Sequence, residues 1–499
     1  MALLISPLHH SAATAPKQTA LNFWQNKAYH SLSYRELSVI VTSVATHLKQ
    51  VGLKPGDRLA CIDNNSKEMV ILYWACIDAR IIFCPLSPRF PKIQISELSQ
   101  RYQFDRFWAP QQFQHLLPES SLEIDFITTV LNATPKTIDS SQPANIILTS
   151  GSSGQPKAAV HCLANHISSA RGSSELIAVN QGDNWLLSLP LFHIGGLAII
   201  NRCALAQAAI TLPATKLSLV EQLKQLRLTH LSLVATQLIR LLEQDKNALI
   251  GIKALLLGGG AIGASLLEKL KPLGINAYTS YGMTEMSSQI TTGLATNKGS
   301  SGKLLAGREL KIVDQQIYVK GETLFMGYLT PKSPCKRPQP KPQELSQQLS
   351  QELPSEIHRD ISQDNEMLWR PTDSEGWFNT QDLGYWNTDG DLVIIGRADN
   401  MFVCGGENVQ PEEIEAALKR HPEITDAIVF PIPDSEFGFL PAAIINGSVS
   451  DTSSLDDFIR QYVASFKRPR QYFAWPNIES TSLKISRKQL IAAVSNPLA

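Results

Sequence analysis

The chain is short of the features that mark secreted, membrane-embedded or polyanion-binding proteins. Its seven cysteines, Cys61, Cys76, Cys84, Cys162, Cys203, Cys335 and Cys404, are scattered and form no Cys-x-x-Cys pair. That spacing excludes a zinc cluster and a disulfide framework, and it reads as the reduced thiols of a cytoplasmic protein. Neither charge is in excess, since Lys plus Arg and Asp plus Glu both number 45. Nucleic acids and anionic membranes select a cationic surplus, so neither is expected as a partner. No apolar run approaches the roughly 18 residues needed to cross a bilayer, and no stable membrane insertion is expected. The opening MALLISPLHHSAATAPK lacks a basic start and a long apolar centre, so it is not read as a signal peptide. There is no internal repeat.

What is present is ample material for globular cores. The 499 residues are 43% hydrophobic and 18% charged, more chain than one core of about 250–300 residues uses. Buried strand-like runs, DRLACI and RIIFCPL, alternate with helical patterns such as YRELSVIVTSVATHLKQVG, which closes on Gly52. The alternation continues through THLSLVATQLIRLLEQ and IKALLLGGG, and it predicts parallel sheets covered by helices on both faces. After Ser301 the runs shorten (ELKIV, QQIYVKG), as in a small barrel or a distorted sheet. Residues 330–364, rich in Pro, Gln, Ser and charge, read as a partly disordered surface insertion. Order resumes with a hairpin turn, NTDGD, then a strand, a loop and a helix after Pro411. The expected fold is therefore α/β. A large domain, 1–397, holds helix-covered, mainly parallel sheets and a small barrel-like subdomain, and a small α+β domain follows at 398–499.

Several motifs carry chemistry. LTSGSSGQPKAAVH follows a buried apolar run. Gly151 and Gly154 free the backbone to turn N–H groups toward an anion, Thr149, Ser150, Ser152 and Ser153 add hydroxyl donors, and Lys157 adds charge. It is not the ordinary P-loop, which has four residues between its glycines, and alone it would also fit a Ser/Gly linker. Gly258, Gly259 and Gly260 end an apolar strand, where a flat ring can lie against bare backbone. In YTSYGMTEMSSQ, Thr284 can donate to a phosphate, and Glu285 suits a magnesium ion bridging phosphate oxygens. Asp382 can accept both hydroxyls of a ribose, with Arg397 in reach of ribose or phosphate. Lys484 sits among small and apolar residues in SLKISRKQL. Singly, each of these also fits an ordinary surface charge.

Taken in order, the motifs resemble the acyl-adenylate-forming superfamily of acyl-CoA synthetases, luciferases and carrier-protein adenylation domains. TSGSSGQPK is similar to its phosphate loop, YGMTE to its Tyr-Gly-x-Thr-Glu, GRADNMFVCGGENVQPEEIE to its interdomain hinge segment, and LKISR to its terminal Gly-Lys-x-x-Arg. Two positions depart from the pattern: Gln381 stands where a glycine usually precedes the ribose-binding aspartate, and Leu483 replaces the glycine before the lysine. The resemblance implies ATP, Mg²⁺ and coenzyme A as reactants. It also implies a mobile C-terminal domain that turns about Asp399. It assigns the 149–157 loop to the β/γ-phosphates, Thr284 to the α-phosphate, Glu285 to the metal, Asp382 to the ribose, and Lys484 to the reacting carboxylate. Ser280, Tyr281, Gly282 and Met283 would line the nucleotide, and Gly405 and Gly406 the pantetheine tunnel.

Within the superfamily, SLPLFHIGGLAIINR and TEMSSQI most resemble o-succinylbenzoate–CoA ligases of menaquinone or phylloquinone biosynthesis. The substrate so implied, 2-succinylbenzoate, keeps one carboxylate unreacted, and that group needs cationic or polar partners. His193, Arg202, Ser288 and Gln289 are the candidates. His193 and Arg202 are nine apart, so on a single helix they would point to different sides. A ligase for another carboxylic acid and an inactive adenylate-binding regulator are the competing readings. The sequence leaves the oligomeric state open.

Overall fold

The computed structural model describes residues 3–126, 137–149, 156–214, 216–258, 264–296, 299–330, 368–404, 407–434, 437–448, 452–463, 465–477 and 486–494. Residues 331–364 of the expected insertion lie outside the described residues. The chain forms two compact units, Met1–Ser218 with Met283–Ser288 and Glu322–Trp377, and Leu219–Gly282 with Gln289–Gly321 and Phe378–Ala499.

The first unit is built around a seven-stranded sheet ordered Leu368–Trp369, Gly327–Leu329, Lys157–Cys162, Pro143–Thr149, Ile82–Leu86, Arg58–Ile62, Arg106–Trp108. The last four run parallel, and the first three are antiparallel additions to their edge. Arg58–Ile62 is buried along its whole length, as a central parallel strand covered on both faces must be. The helix Tyr34–Gln50 starts at Ser33 with a reciprocal capping box to Glu36, buries Leu37, Val41, Val44 and Leu48, and stops before Gly52 at φ +94°. The helix Lys67–Ala79 is buried from Met69 to Ile77, which explains why its sequence is apolar all round. The unit also carries the parallel strands Asn184–Leu186, Ala209–Thr211 and Thr19–Gln25, with Ala28–Ser33 antiparallel at the edge.

In the second unit His230–Val234, Ala254–Gly258 and Asn276–Met283 are parallel neighbours. The short strands after Ser301 form a four-stranded antiparallel sheet, Arg308–Val313, Gln316–Gly321, Phe378–Trp386 and Leu392–Arg397. Register shifts at Gln316/Tyr318 and Leu383/Gly384 distort it. The chain ends in a three-stranded sheet of Ile424–Asp434, Gly438–Gly447 and Gln471–Ala474. Alternate residues pack to opposite faces there, as the two-residue strand period requires. Val429, Ala443 and Ile445 meet Ile414 and Leu418 of the helix Pro411–Leu418, whereas Phe430, Ala442 and Ile444 meet Leu490 of the helix Arg487–Ala493. Among the described residues no helix is long and apolar enough to cross a membrane. The six described cysteines are all buried and free.

One glycine is fixed by crowding. In the helix Ile194–Ala206, a Cβ on Gly196 would lie 2.3 Å from the Pro190 carbonyl oxygen. Gly196→Ala should therefore push the helix off the preceding loop and cost about 2 kcal/mol, seen as a lower apparent Tm. An unchanged melting curve would contradict the contact.

Candidate active site

Thr149 and Lys157 face each other where the Ser/Gly loop leaves the antiparallel pair Pro143–Thr149 and Lys157–Cys162, and the Tyr102 hydroxyl donates to the Pro156 carbonyl at 2.6 Å. Ser150, Gly151, Ser152, Ser153 and Gly154 lie outside the described residues. The ammonium of Lys157 sits 5.1 Å from the Tyr328 ring centroid and 5.4 Å from that of Trp369, so two aromatic faces hold the cation. The Tyr328 hydroxyl in turn donates to Glu285 Oε1 at 2.5 Å. Lys157, Tyr328 and Glu285 are thereby one cluster, with Glu285 buried at 7% exposure.

Glu285 and Thr284 stand on a strained turn. Ser287 and Ser288, neither of them glycine, have φ of +53° and +111°, conformations costing on the order of 1–2 kcal/mol each. Hydrogen bonds from outside the turn hold it. The Thr284 carbonyl accepts from His161 Nε2 at 2.7 Å and from the Ser287 N–H at 3.0 Å. The Glu285 carbonyl accepts from the Phe325 N–H at 2.8 Å, and the Ser287 carbonyl from Ser169 Oγ at 2.6 Å. Ser287 Oγ donates to the Thr323 carbonyl at 2.9 Å.

A second cluster lies in the other unit. The hairpin closed by the Asn387–Asp391 turn sets Asp382 directly opposite Arg397. Arg397 Nη1 donates to Asp382 Oδ1 at 3.2 Å, and its Nε to Asp399 Oδ1 at 3.0 Å. The Tyr281 hydroxyl donates to Asp382 Oδ2 at 2.6 Å. Burial raises the Asp382 carboxyl above its ordinary range, opposed by the bonds from Tyr281 and Arg397. Burial and then the Asp382 charge raise the Tyr281 hydroxyl, so it stays a donor. Gln381, which replaces the expected glycine, has φ +61° and is braced by its N–H donating to Asn379 Oδ1 at 2.9 Å. Among the described residues, chain neighbours aside, a Cβ on Gly258 would meet no atom within 4 Å. Ser280 and Met283 are half-buried and Gly282 is exposed along the same strand as Tyr281.

His193 and Arg202 do not lie on a single helix. His193 is extended and precedes the helix Ile194–Ala206, whereas Arg202 lies within it. His193 is exposed. Arg202 is buried, with its guanidinium 5.5 Å from the Trp185 ring centroid. Gln289 is buried and donates to Thr292 Oγ1 at 2.7 Å, and Ser288 is half-buried beside it in sequence. Lys484, Gly259, Gly260, Gly405 and Gly406 lie outside the described residues.

The chain matches the AMP-binding enzyme family over residues 8–329 and the AMP-binding enzyme C-terminal domain over residues 413–483. The chain belongs to the AMP-binding enzyme family. It is 33% identical to the 2-succinylbenzoate–CoA ligase of Haemophilus influenzae, over 92% of each chain. It is similar in structure to a variant of E. coli MenE with bound OSB-AMS, at a TM-score of 0.79 and 29% identity over 98% of each chain. It is likewise similar to the O-succinylbenzoate Coenzyme A Synthetase (MenE) of Bacillus subtilis in complex with ATP and magnesium ion. That match has a TM-score of 0.77 and 25% identity, over 98% of this chain and 100% of that one.

Three residues of this AMP-binding enzyme's site escaped sequence reasoning. Tyr328 lies in an unremarkable FMGYL run, and its contact with Glu285 spans 43 positions. Asn65 anchors the loop before His193, donating to the Leu187 and Leu189 carbonyls at 2.8 and 2.9 Å and accepting from the Leu191 N–H at 2.9 Å. His161 had one visible signal, a histidine inside an otherwise apolar strand, AAVHC. The left-handed Gln381 yields a test. Gln381→Gly relieves the conformational cost but adds chain entropy, for a net gain of about 0.5 kcal/mol. The apparent Tm should rise by about 1 °C; a fall would show that the Asn379 bond already removes the strain.

Proposed function

We propose that this chain is an AMP-forming acid–CoA ligase that converts 2-succinylbenzoate to o-succinylbenzoyl-CoA, a step common to menaquinone and phylloquinone biosynthesis. The observation that carries the reaction class is the cluster in which half-buried Lys157 and buried Tyr328 meet Glu285 of the Thr284–Ser288 turn. It joins a cation, a carboxylate and a hydroxyl donor where polyphosphate chemistry needs them. The relatives' shared acid supports the choice of substrate.

In the first half-reaction a carboxylate oxygen attacks the α-phosphorus of ATP, and the bond to pyrophosphate breaks. Lys157 and the loop from Thr149 steady the departing pyrophosphate, the Thr284 hydroxyl donates to the α-phosphate, and Asp382 accepts the ribose hydroxyls. Magnesium fits Glu285, because this ion typically takes one or two carboxylates and draws its other ligands from phosphate and water. Among the described residues no cluster of three or more metal-binding side chains competes for that role. When bound, the ion neutralises charge on the phosphates. Lys484 bridges the attacking carboxylate and the α-phosphate. In the second half-reaction the thiol sulfur of CoA attacks the acyl carbonyl carbon, AMP leaves, and the thiol proton passes to solvent.

We assign residues 1–397 to the adenylating domain and 398–499 to a domain that turns about Asp399 between the two steps, presenting Gly405 and Gly406 to pantetheine. We assign His193, Arg202, Ser288 and Gln289 to the acid, with Arg202 as the partner of its unreacted carboxylate. The buried free thiols fit the cytoplasm as its compartment.

Two measurements test this. ATP–pyrophosphate exchange should be supported by 2-succinylbenzoate and not by benzoate, fatty acids or amino acids; exchange with another acid alone would refute the substrate. Lys484→Ala should nearly abolish exchange while thioesterification of supplied o-succinylbenzoyl-AMP is largely retained. Equal loss in both would remove the lysine from its role.

A further inference from the structure

Beneath the Thr284–Ser288 turn runs a buried polar chain that reaches no substrate. His161 is fully buried and its Nε2 lies 2.7 Å from the Thr284 carbonyl. A carbonyl only accepts, so Nε2 carries the hydrogen and Nδ1 is left as an acceptor. Asn145, its direct neighbour in the strand ladder, brings Nδ2 to 3.4 Å from that Nδ1. The Asn145 Oδ1 is 2.6 Å from His166 Nε2. Every hydrogen therefore points one way, from His166 through Asn145 and His161 to Thr284. Burial lowers His161 to about 4 and His166 well below its ordinary value. Both rings are then neutral near pH 7, as a one-way chain requires.

The chain does not stop at His166. That ring stands edge-on to Tyr73, with centroids 6.4 Å apart, and the Tyr73 hydroxyl accepts from Asn201 Nδ2 at 2.8 Å. Asn201 precedes Arg202 in the helix Ile194–Ala206. Among the described residues His166 Nδ1 has no hydrogen-bond partner although it is buried, a cost that an apolar side chain would avoid. The Thr284 carbonyl already accepts from the Ser287 N–H, so its pairing alone does not call for three further linked polar groups aimed at it.

We propose that His161, backed by Asn145 and His166, is a positioning residue for the adenylation half-reaction, fixing the Thr284 carbonyl and so aiming the Thr284 hydroxyl and the Glu285 carboxylate. This rests on the assignment of Thr284 and Glu285 to ATP made above. The turn has two left-handed serines, and a carbonyl released from His161 lets it relax toward an ordinary conformation. Misplacement of reacting groups by about 1 Å costs on the order of 100-fold in rate.

The test compares half-reactions in the full-length enzyme at a temperature where circular dichroism reports complete folding. His161→Leu should lower kcat for ATP–pyrophosphate exchange by about 100-fold, leave KM for ATP within about threefold, and spare thioesterification of supplied o-succinylbenzoyl-AMP. His161→Gln, which keeps a donor on a nitrogen at the end of the side chain, should recover most of the exchange. Asn145→Ala, which unhooks the ring without removing it, should lose at least about tenfold, and it decides the matter if His161→Leu does not fold. Wild-type exchange in folded His161→Leu or Asn145→Ala, or equal loss in both half-reactions, overturns the proposal. Thr284→Val is the reference. If it retains exchange, the reading of Thr284 fails and takes the proposal with it. If it loses exchange while folded His161→Leu does not, only the role of His161 falls.

Discussion

The first unit's chemistry depends on a turn that its own sequence does not favour. Residues 284–288 include two consecutive non-glycine residues with positive φ, a conformation that persists only when its surroundings over-determine it. Here they do. His161, Phe325 and Ser169 satisfy the Thr284, Glu285 and Ser287 carbonyls of the turn, and Ser287 anchors it to Thr323. These partners come from a strand, a helix and a late segment, so the turn has its shape only once all three are assembled. The strain serves orientation: Glu285 is buried against Tyr328, where a relaxed turn would carry it elsewhere.

The Asp382 cluster uses a cheaper device. An antiparallel hairpin with a tight turn fixes which residues face each other, so Asp382 meets Arg397 by register alone. Arg397 shares its guanidinium between Asp382 and Asp399, which ties the carboxylate proposed to hold the ribose to the proposed pivot. The Asp382–Arg397 pair is thus local in origin, whereas the Thr284 turn is assembled from distant segments. The helix Ile194–Ala206, with buried Arg202, is a third case. It is seated against the Pro190 carbonyl by Gly196, while Asn65 holds the loop before it.

Legibility followed the same division. The helix Tyr34–Gln50, the buried strand Arg58–Ile62 and the NTDGD hairpin were all visible, because caps, apolar runs and turn residues act over a few positions. Lys157, Thr284, Glu285 and Asp382 stood out as chemistry-bearing types in short motifs. The relation of His193 to Arg202 was not legible, since helical spacing says nothing about a residue in the extended segment before the helix. Gln381 looked like a mere departure from a family pattern. Its φ of +61° gives the physical reason a glycine is the usual occupant.

By itself the sequence determined the α/β class, the order of the motifs, the reaction type they resemble and most of the groups that would carry it. Those properties reside in side-chain identity and short-range periodicity. Only the tertiary structure decided that Lys157 shares Tyr328 with Glu285, that the Thr284 turn is strained and clamped, and that His161, Asn145 and His166 form a directed chain beneath it. Such contacts join Thr284 to His161, 123 positions away, and Tyr328 to Lys157, farther still, and no local preference encodes them. They exist only where the assembled fold brings distant buried groups within reach of one another.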